Sequence, residues 1–258
     1  MKYNFHTHTY HCHHASGTPE EYVLRAIEGG VTEMGFSDHF PFDFENGVCN
    51  RSRISTADVS TYLKEIADLK EKYADKIKIY LGFEMEYYTE LFPEMKKKAL
   101  EYGADYLLLG EHYVRPESDP TSQHACIPSK DEDLLTFYAD RVIEGMKTGC
   151  FTYVAHPDVW NFTGEQAVLE KQARRIAKAA LALNIPLEIN FLGIRDGRYY
   201  PNSIFWKVAA EVGVPVTFGF DAHDTASAYD EASLAIAKSM VKDFGLNYIG
   251  KPVLRKII

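Results

Sequence analysis

The chain has 258 residues, 46% of them apolar, and a net charge of −9. That length and apolar content predict a sizeable folded core and exclude disorder, and the acidity argues against a nucleic-acid partner held by a basic surface. Cys12, Cys49, Cys126 and Cys150 lack paired spacing, no basic-then-apolar leader opens the chain, and no apolar run nears ~18 residues, so a cytoplasmic protein with no membrane partner is expected.

Strand-like and helix-like segments alternate along the chain. Tyr3 to His6 reads as a short strand running into His6-Thr7-His8, with His14 six residues further on. In extended chain, residues two apart face the same way, so His6 and His8 can grip one ion. Thr18-Pro19-Glu20-Glu21 carries an N-cap, a proline at the first helical position and a glutamate at the third. The helix it starts is expected to place Val23, Leu24 and Ile27 on one face and to stop at Gly29-Gly30. Glu33 to Ser37 is the second strand, ending in Asp38-His39.

The loop from Phe40 to Ser55, about 15 residues long, exceeds the usual connection and suits a lid or binding loop. It holds Arg51 and Arg53. A helix over Thr56 to Tyr73 leads to the strand Ile77 to Phe83, which runs into Glu84. The unit then repeats: a helix from Phe92 to Tyr102, a strand from Asp105 to Leu109 and then Gly110-Glu111-His112. After a second long loop come a helix over Asp131 to Lys147, a strand over Phe151 to Ala155 and His156-Pro157-Asp158. A helix over Gly164 to Leu183 precedes the strand Ile185 to Asn190 and then Arg195; a helix over Asn202 to Val212 precedes the strand Pro215 to Gly219, which ends in Asp221-Ala222-His223. A final helix, Tyr229 to Phe244, leaves a short strand-like tail.

Seven strand–helix units with no linker or composition break read as one domain over residues 1–258. Alternating βα units predict a parallel sheet with helices outside, and seven or eight of them close most naturally into a TIM-like barrel. An open doubly wound sheet should carry a glycine-rich turn after an early strand, and that turn is filled with histidines here.

The metal-capable residues share a position. His6 and His8, His39, Glu84, His112, His156, and Asp221 with His223 each fall at the carboxyl end of a strand, the rim where barrel enzymes build their sites, with His14 on the loop above. Seven imidazoles, two carboxylates and no thiolate suit zinc, iron or manganese. Nine donors are too many for one ion and fit two or three, with a carboxylate able to bridge a pair.

His6-x-His8 with His14, Asp38-His39, Glu84, His112, His156 and Asp221-x-His223 resembles the motif series of the polymerase and histidinol phosphatase (PHP) family, from His6 to His223. Cys12-His13-His14-Ala15, Gly110-Glu111-His112-Tyr113, His156-Pro157-Asp158, and Asn190 with Gly193 and Arg195 point to its histidinol-phosphatase branch. The resemblance implies a distorted (β/α)7 barrel of the α/β class and three divalent ions: one on His6, His8, Glu84 and Asp221, a second on Glu84, His112 and His156, a third on His14, His39 and His223. It implies hydrolysis of L-histidinol phosphate in histidine biosynthesis.

The expected chemistry is attack on phosphorus by a hydroxide bridging the Glu84-linked ions, with Asp221 as the catalytic proton acceptor. Arg195, Arg53 and Asn190 are the candidate contacts to a small phosphomonoester, Arg51 reading as a surface residue. Glu111 and Asp158 are rim acids for the ammonium of the substrate, Tyr113 and Trp160 could stack on its ring, and His11, His13 and His124 are expected to be exposed. The alternatives are another small-phosphomonoester or phosphotyrosine phosphatase of this family, an amidohydrolase, or a non-catalytic metal-supported module.

Overall fold

The computed structural model describes residues 1–48 and 52–258; Arg51 lies outside them. The expected alternation forms throughout. Strand β1 (Tyr3–Asn4) is followed by α1 (Pro19–Glu28), β2 (Glu33–Phe36), α2 (Val59–Lys72), β3 (Lys78–Met85), α3 (Phe92–Glu101), β4 (Tyr106–Leu109), α4 (Glu132–Lys147), β5 (Phe151–Val154) and α5 (Gln166–Ala182). Then come β6 (Leu187–Asn190), a short helix α6 (Phe191–Arg195), α7 (Ser203–Val212), β7 (Pro215–Gly219), α8 (Glu231–Phe244) and β8 (Asn247–Tyr248).

All neighbouring strands pair in parallel in the order β1 to β8. The sheet curls so that the chain just beyond β1 meets the chain just beyond β7. Thr7 bridges Ala222, and the His8 amide donates to the Ala222 carbonyl at 2.9 Å. The strand-like tail is the eighth strand, added outside β7. The barrel is distorted where the register slips between β4 and β5, and where β5 and β6 share the single pair Val154–Leu187.

Side-chain alternation sorts the strands into two faces. Phe5, Tyr106, Leu108 and Tyr153 pack together inside the barrel, whereas Leu107, Leu109, Phe151 and Val154 pack outward against helices, Phe151 and Tyr153 parting, two residues apart, where the β4–β5 register shifts. Glu84 is in register with Leu108, one of the inward residues. Parallel neighbours in register share a face, so Glu84 points into the barrel.

Helix α1 starts as its sequence requires. Thr18 accepts from the Glu21 amide, and the Glu21 carboxylate accepts from the Thr18 amide at 2.7 Å; such a cap contributes about 0.5–2 kcal/mol. Its buried face is Pro19, Tyr22, Val23 and Ala26, and Leu24 is 50% exposed, which corrects the expected face. At about 100° per residue, centring the stripe on the large Tyr22 ring turns Leu24 outward. No helix among the described residues is long and apolar enough to cross a membrane.

Candidate metal centre

The strand ends deliver their side chains to one place. Along the extended run after β1, His6 and His8 project together and bring their Nε2 atoms to 3.1 Å. Thr7, between them, faces the other way and takes Ser37 and Asn4 as hydrogen-bond partners. The backbone next to β2 pairs His39 with Glu84. His156 and Asp221 follow β5 and β7 with φ of 29° and 45°. Those left-handed values are uncommon for residues with a Cβ and cost about 1–3 kcal/mol each. Both strained residues belong to the cluster.

A tetrahedral ion with metal–nitrogen bonds of about 2.0–2.1 Å holds its donors about 3.3 Å apart. His6 Nε2 lies 3.5 Å from Glu84 Oε2 and 3.5 Å from Asp221 Oδ1. His8 Nε2 lies 3.3 Å from each of the same two oxygens. With the 3.1 Å His6–His8 separation, these are five edges of a tetrahedron of the right size. Glu84 Oε1 faces a second group, 2.7 Å from His156 Nε2 and 3.6 Å from His112 Nε2. A third group lies above: His14 and His223 bring their Nε2 atoms to 3.1 Å, and His39 Nδ1 is 3.2 Å from Glu84 Oε2. All nine expected ligands are thus gathered, with Glu84 reaching both of the first two groups.

Both oxygens of Glu84 and Oδ1 of Asp221 are buried without a hydrogen-bond partner. Leaving a buried carboxylate unsatisfied costs several kcal/mol unless a cation takes its place. Burial raises the Glu84 and Asp221 pKa values, but the surrounding imidazoles, His112 first for Glu84 and His6 for Asp221, outweigh it and hold both well below the carboxylate range. Burial lowers His14 and His39, and takes His223 to about 3, keeping them neutral nitrogen donors. For His6, burial is outweighed by Asp221, Glu188 and Glu84, and the pKa rises. The acids likewise outweigh burial at His8 and His112 and raise their pKa values, so divalent cations would take the place of protons and displace them as they bind.

A second ring of groups aims the ligands. Glu188 on β6, absent from the expected site, is fully buried. Its Oε1 is 2.8 Å from His6 Nδ1, and its Oε2 accepts from the His156 amide and from Asn190 Nδ2, each at 2.9 Å. The carboxylate puts the proton on His6 Nδ1 and leaves Nε2 free to bind. Glu86 does the same for His112 at 3.1 Å. Two glycines make room for these acids: a Cβ on Gly110 would fall 1.9 Å from Glu84 Oε1, and one on Gly219 would fall 1.7 Å from Glu188 Oε1.

The centre opens into a cavity of about 560 Å³ lined in part by Arg53, Glu86, Tyr113, His124, Arg195, Asp196, Arg198, Tyr199, Tyr200 and Asp224. Arg53 is buried, pairs with Glu86 and Glu117, and donates to the Phe40 carbonyl. Arg195 donates to the carbonyls of Phe220 and Asp221 and pairs with Asp230. Asn190 lies outside the lining: its amide donates to Asp221 Oδ2 at 2.9 Å and accepts from the Gly193 amide. Glu111 accepts from the Tyr87 amide, and Asp158 from the Asn202 amide and the Trp206 indole. Neither faces the cavity, nor does Trp160; Glu86, Asp196 and Asp224 are the acids beyond the ligands that do. His11, expected exposed, is 5% exposed and pairs with Glu65 at 2.9 Å; His124 is half-buried, and His13 is exposed. What turns His11 inward is a carboxylate 54 residues away in the chain.

The family model described as the PHP domain matches residues 4–191. The chain belongs to the PHP domain family. The match holds seven of the nine clustered residues, and Asp221 and His223 follow it. Among curated relatives, a probable histidinol-phosphatase of Deinococcus radiodurans is 27% identical over 225 residues, 84% of this chain and 85% of the relative. A probable histidinol-phosphatase of Schizosaccharomyces pombe is 26% identical over 238 residues, 82% and 77% of the two chains. The fold is shared with the histidinol phosphate phosphatase of Lactococcus lactis subsp. lactis Il1403, solved with zinc, L-histidinol and phosphate. That structure has a TM-score of 0.71 at 21% identity, over 96% of this chain and 95% of that one.

Proposed function

We propose that this chain is a metal-dependent phosphatase that hydrolyses L-histidinol phosphate to L-histidinol and phosphate. The observation that carries the reading is the set of converging imidazole nitrogens and unpartnered Glu84 and Asp221 oxygens at the spacing of a metal coordination shell. The two curated relatives support the substrate by their names, and so does the Lactococcus lactis structure by its ligands.

Three divalent ions, zinc, iron or manganese, would be held by the nine residues: His6, His8, Glu84 and Asp221; Glu84, His112 and His156; and His14, His39 and His223. When bound, such ions acidify water for in-line attack and neutralise phosphoryl charge. The chain's own residues orient this chemistry. Asn190 fixes Asp221 Oδ2 and leaves Oδ1 beside His6 and His8 as the oxygen that would bind the ion, and the Asp221 carboxylate is also the proton acceptor. Arg195, held against the Asp221 backbone at the cavity wall, and Arg198 beside it are the cations set for the phosphate. Arg53, neutralised by two carboxylates, holds Glu86 and through it His112. With Glu86 paired to Arg53 and Asp196 to Arg198, Asp224 provides the carboxylate for an ammonium, and Tyr113, Tyr199 and Tyr200 provide faces for an imidazole.

The test is phosphate release from a panel of histidinol phosphate, phosphotyrosine and nucleoside monophosphates by metal-loaded protein. The reading expects the highest kcat/KM on histidinol phosphate. Equal or higher values on another monoester would remove the named substrate, and amide hydrolysis with inert esters would remove the phosphatase.

A further inference from the structure

We propose that Cys12 is a thiolate ligand of the ion that His14 and His223 hold. The inference deepens the metal-dependent reading and rests on it.

His14 Nδ1 lies 2.8 Å from the Cys12 carbonyl oxygen, which only accepts, so Nδ1 carries the proton. His223 Nδ1 lies 3.2 Å from the Asp221 carbonyl oxygen and 3.3 Å from Asp221 Oδ1, again acceptors alone. Both Nε2 atoms are therefore lone-pair donors, and they face each other at 3.1 Å. Two lone pairs at that distance repel unless a cation lies between them. The site is thus marked independently of the cysteine.

Cys12 is fully buried beneath the loop that carries His14, with Sγ 3.9 Å from His14 Nε2. Sγ and a ring nitrogen of each histidine all lie within 4.8 Å of one another. Zinc-to-sulfur and zinc-to-nitrogen bonds of about 2.3 and 2.0–2.1 Å give a tetrahedral edge of about 3.6 Å, so the sulfur needs to approach His14 Nε2 by only a few tenths of an ångström from its 3.9 Å. A buried cysteine serving only as a small apolar side chain would pack among carbon atoms. Cys12 faces ring nitrogens.

In the binding step the S–H bond breaks heterolytically, its proton leaves to solvent, and a sulfur lone pair takes the ion, with no change of oxidation state. The thiol's present bond to the Thr9 carbonyl, 3.1 Å long, is given up. This donor set differs from the nitrogen and oxygen sets around Glu84. It favours a thiophilic ion such as zinc over manganese at this one position.

The test reloads the chelator-stripped full chain with cobalt(II) and follows its near-ultraviolet and visible absorption during titration. The proposal expects a sulfur-to-cobalt charge-transfer band beside the weaker d–d bands. The band should vanish in Cys12→Ser and persist in Cys126→Ser, and the d–d bands of the other positions should remain in both. His14→Ala, which removes a nitrogen from the same ion and leaves the thiol in place, should also lose the band. Cobalt binding without a charge-transfer band, or a band unchanged in Cys12→Ser or His14→Ala, overturns the thiolate ligand and leaves the metal reading standing. No cobalt binding at all overturns both.

Discussion

Glu188 lies outside the nine clustered residues, yet its replacement by glutamine should weaken binding at the first metal position. The wild-type carboxylate accepts on both oxygens: from His6 Nδ1 at 2.8 Å, and from the His156 amide and Asn190 Nδ2 at 2.9 Å. Glutamine has one oxygen and one NH2. If the oxygen faces His6, the NH2 confronts two buried N–H donors, and each lost bond costs about 1–3 kcal/mol. If the oxygen serves those two donors, the NH2 donates to His6 Nδ1 and forces the proton onto Nε2, the atom that must bind the ion. The second arrangement breaks fewer bonds in the metal-free protein and is the one expected. Glu188→Gln should therefore melt near wild type without metal but lose about 10–100-fold in metal affinity, or about 1.4–2.7 kcal/mol. Chelator-competition titration reads the affinity, and denaturant unfolding of the stripped protein reads the stability. Wild-type affinity in Glu188→Gln, with the fold intact, would refute the view that this carboxylate sets the His6 tautomer.

Three further outcomes follow from the same geometry. Gly110→Ala places a methyl 1.9 Å from Glu84 Oε1; a displaced Glu84 should lower kcat on the order of 100-fold with far-ultraviolet dichroism unchanged, and near-normal kcat would show that the carboxylate has room to spare. Asp221→Gly relieves the φ of 45° and removes an unpartnered buried oxygen. The metal-free variant should stay within about 1 kcal/mol of wild type while turnover disappears, and a loss above about 3 kcal/mol would mean that Asp221 is structural. Burial raises the Asp158 carboxyl to about 6 despite its bonds from Asn202 and Trp206. The fold binds that proton more tightly than the unfolded chain, so the associated stability is complete below pH ~3.8 and is lost as pH rises through about 6, at most about 3 kcal/mol. Asp158→Asn should flatten that decline in unfolding curves of the stripped protein, and an unchanged slope would rule the group out as its source.

Eight of the nine clustered residues were readable because each sits where a strand gives way to a loop, with His14 on the loop above, and strand ends can be located from apolar runs. Parallel alternation then carries them to one rim. The supporting groups were not readable, because their roles depend on partners remote in the chain. Arg53 reads as a free cation until Glu86 and Glu117, 33 and 64 residues on, close around it. Asn190 reads as a substrate contact until Asp221 is placed 2.9 Å from its amide. Glu111 and Asp158 resemble rim acids but turn back to satisfy backbone and indole N–H groups. Glu188 left one trace: a carboxylate inside the otherwise buried run Leu187-Glu188-Ile189-Asn190, on a strand that supplies none of the clustered residues. A charge in such a strand needs a partner, and the alternation of β6 points it into the barrel.

The central claim is that catalysis depends on a multi-ion centre built on Glu84 and Asp221. Metal analysis of stripped protein titrated with zinc or manganese, with histidinol-phosphate turnover measured on the same samples, tests it most directly. The account predicts about three ions per chain at saturation, no turnover in the stripped protein, and activity that returns with loading. Undiminished turnover after stripping, or full activity with a single ion per chain, would contradict it.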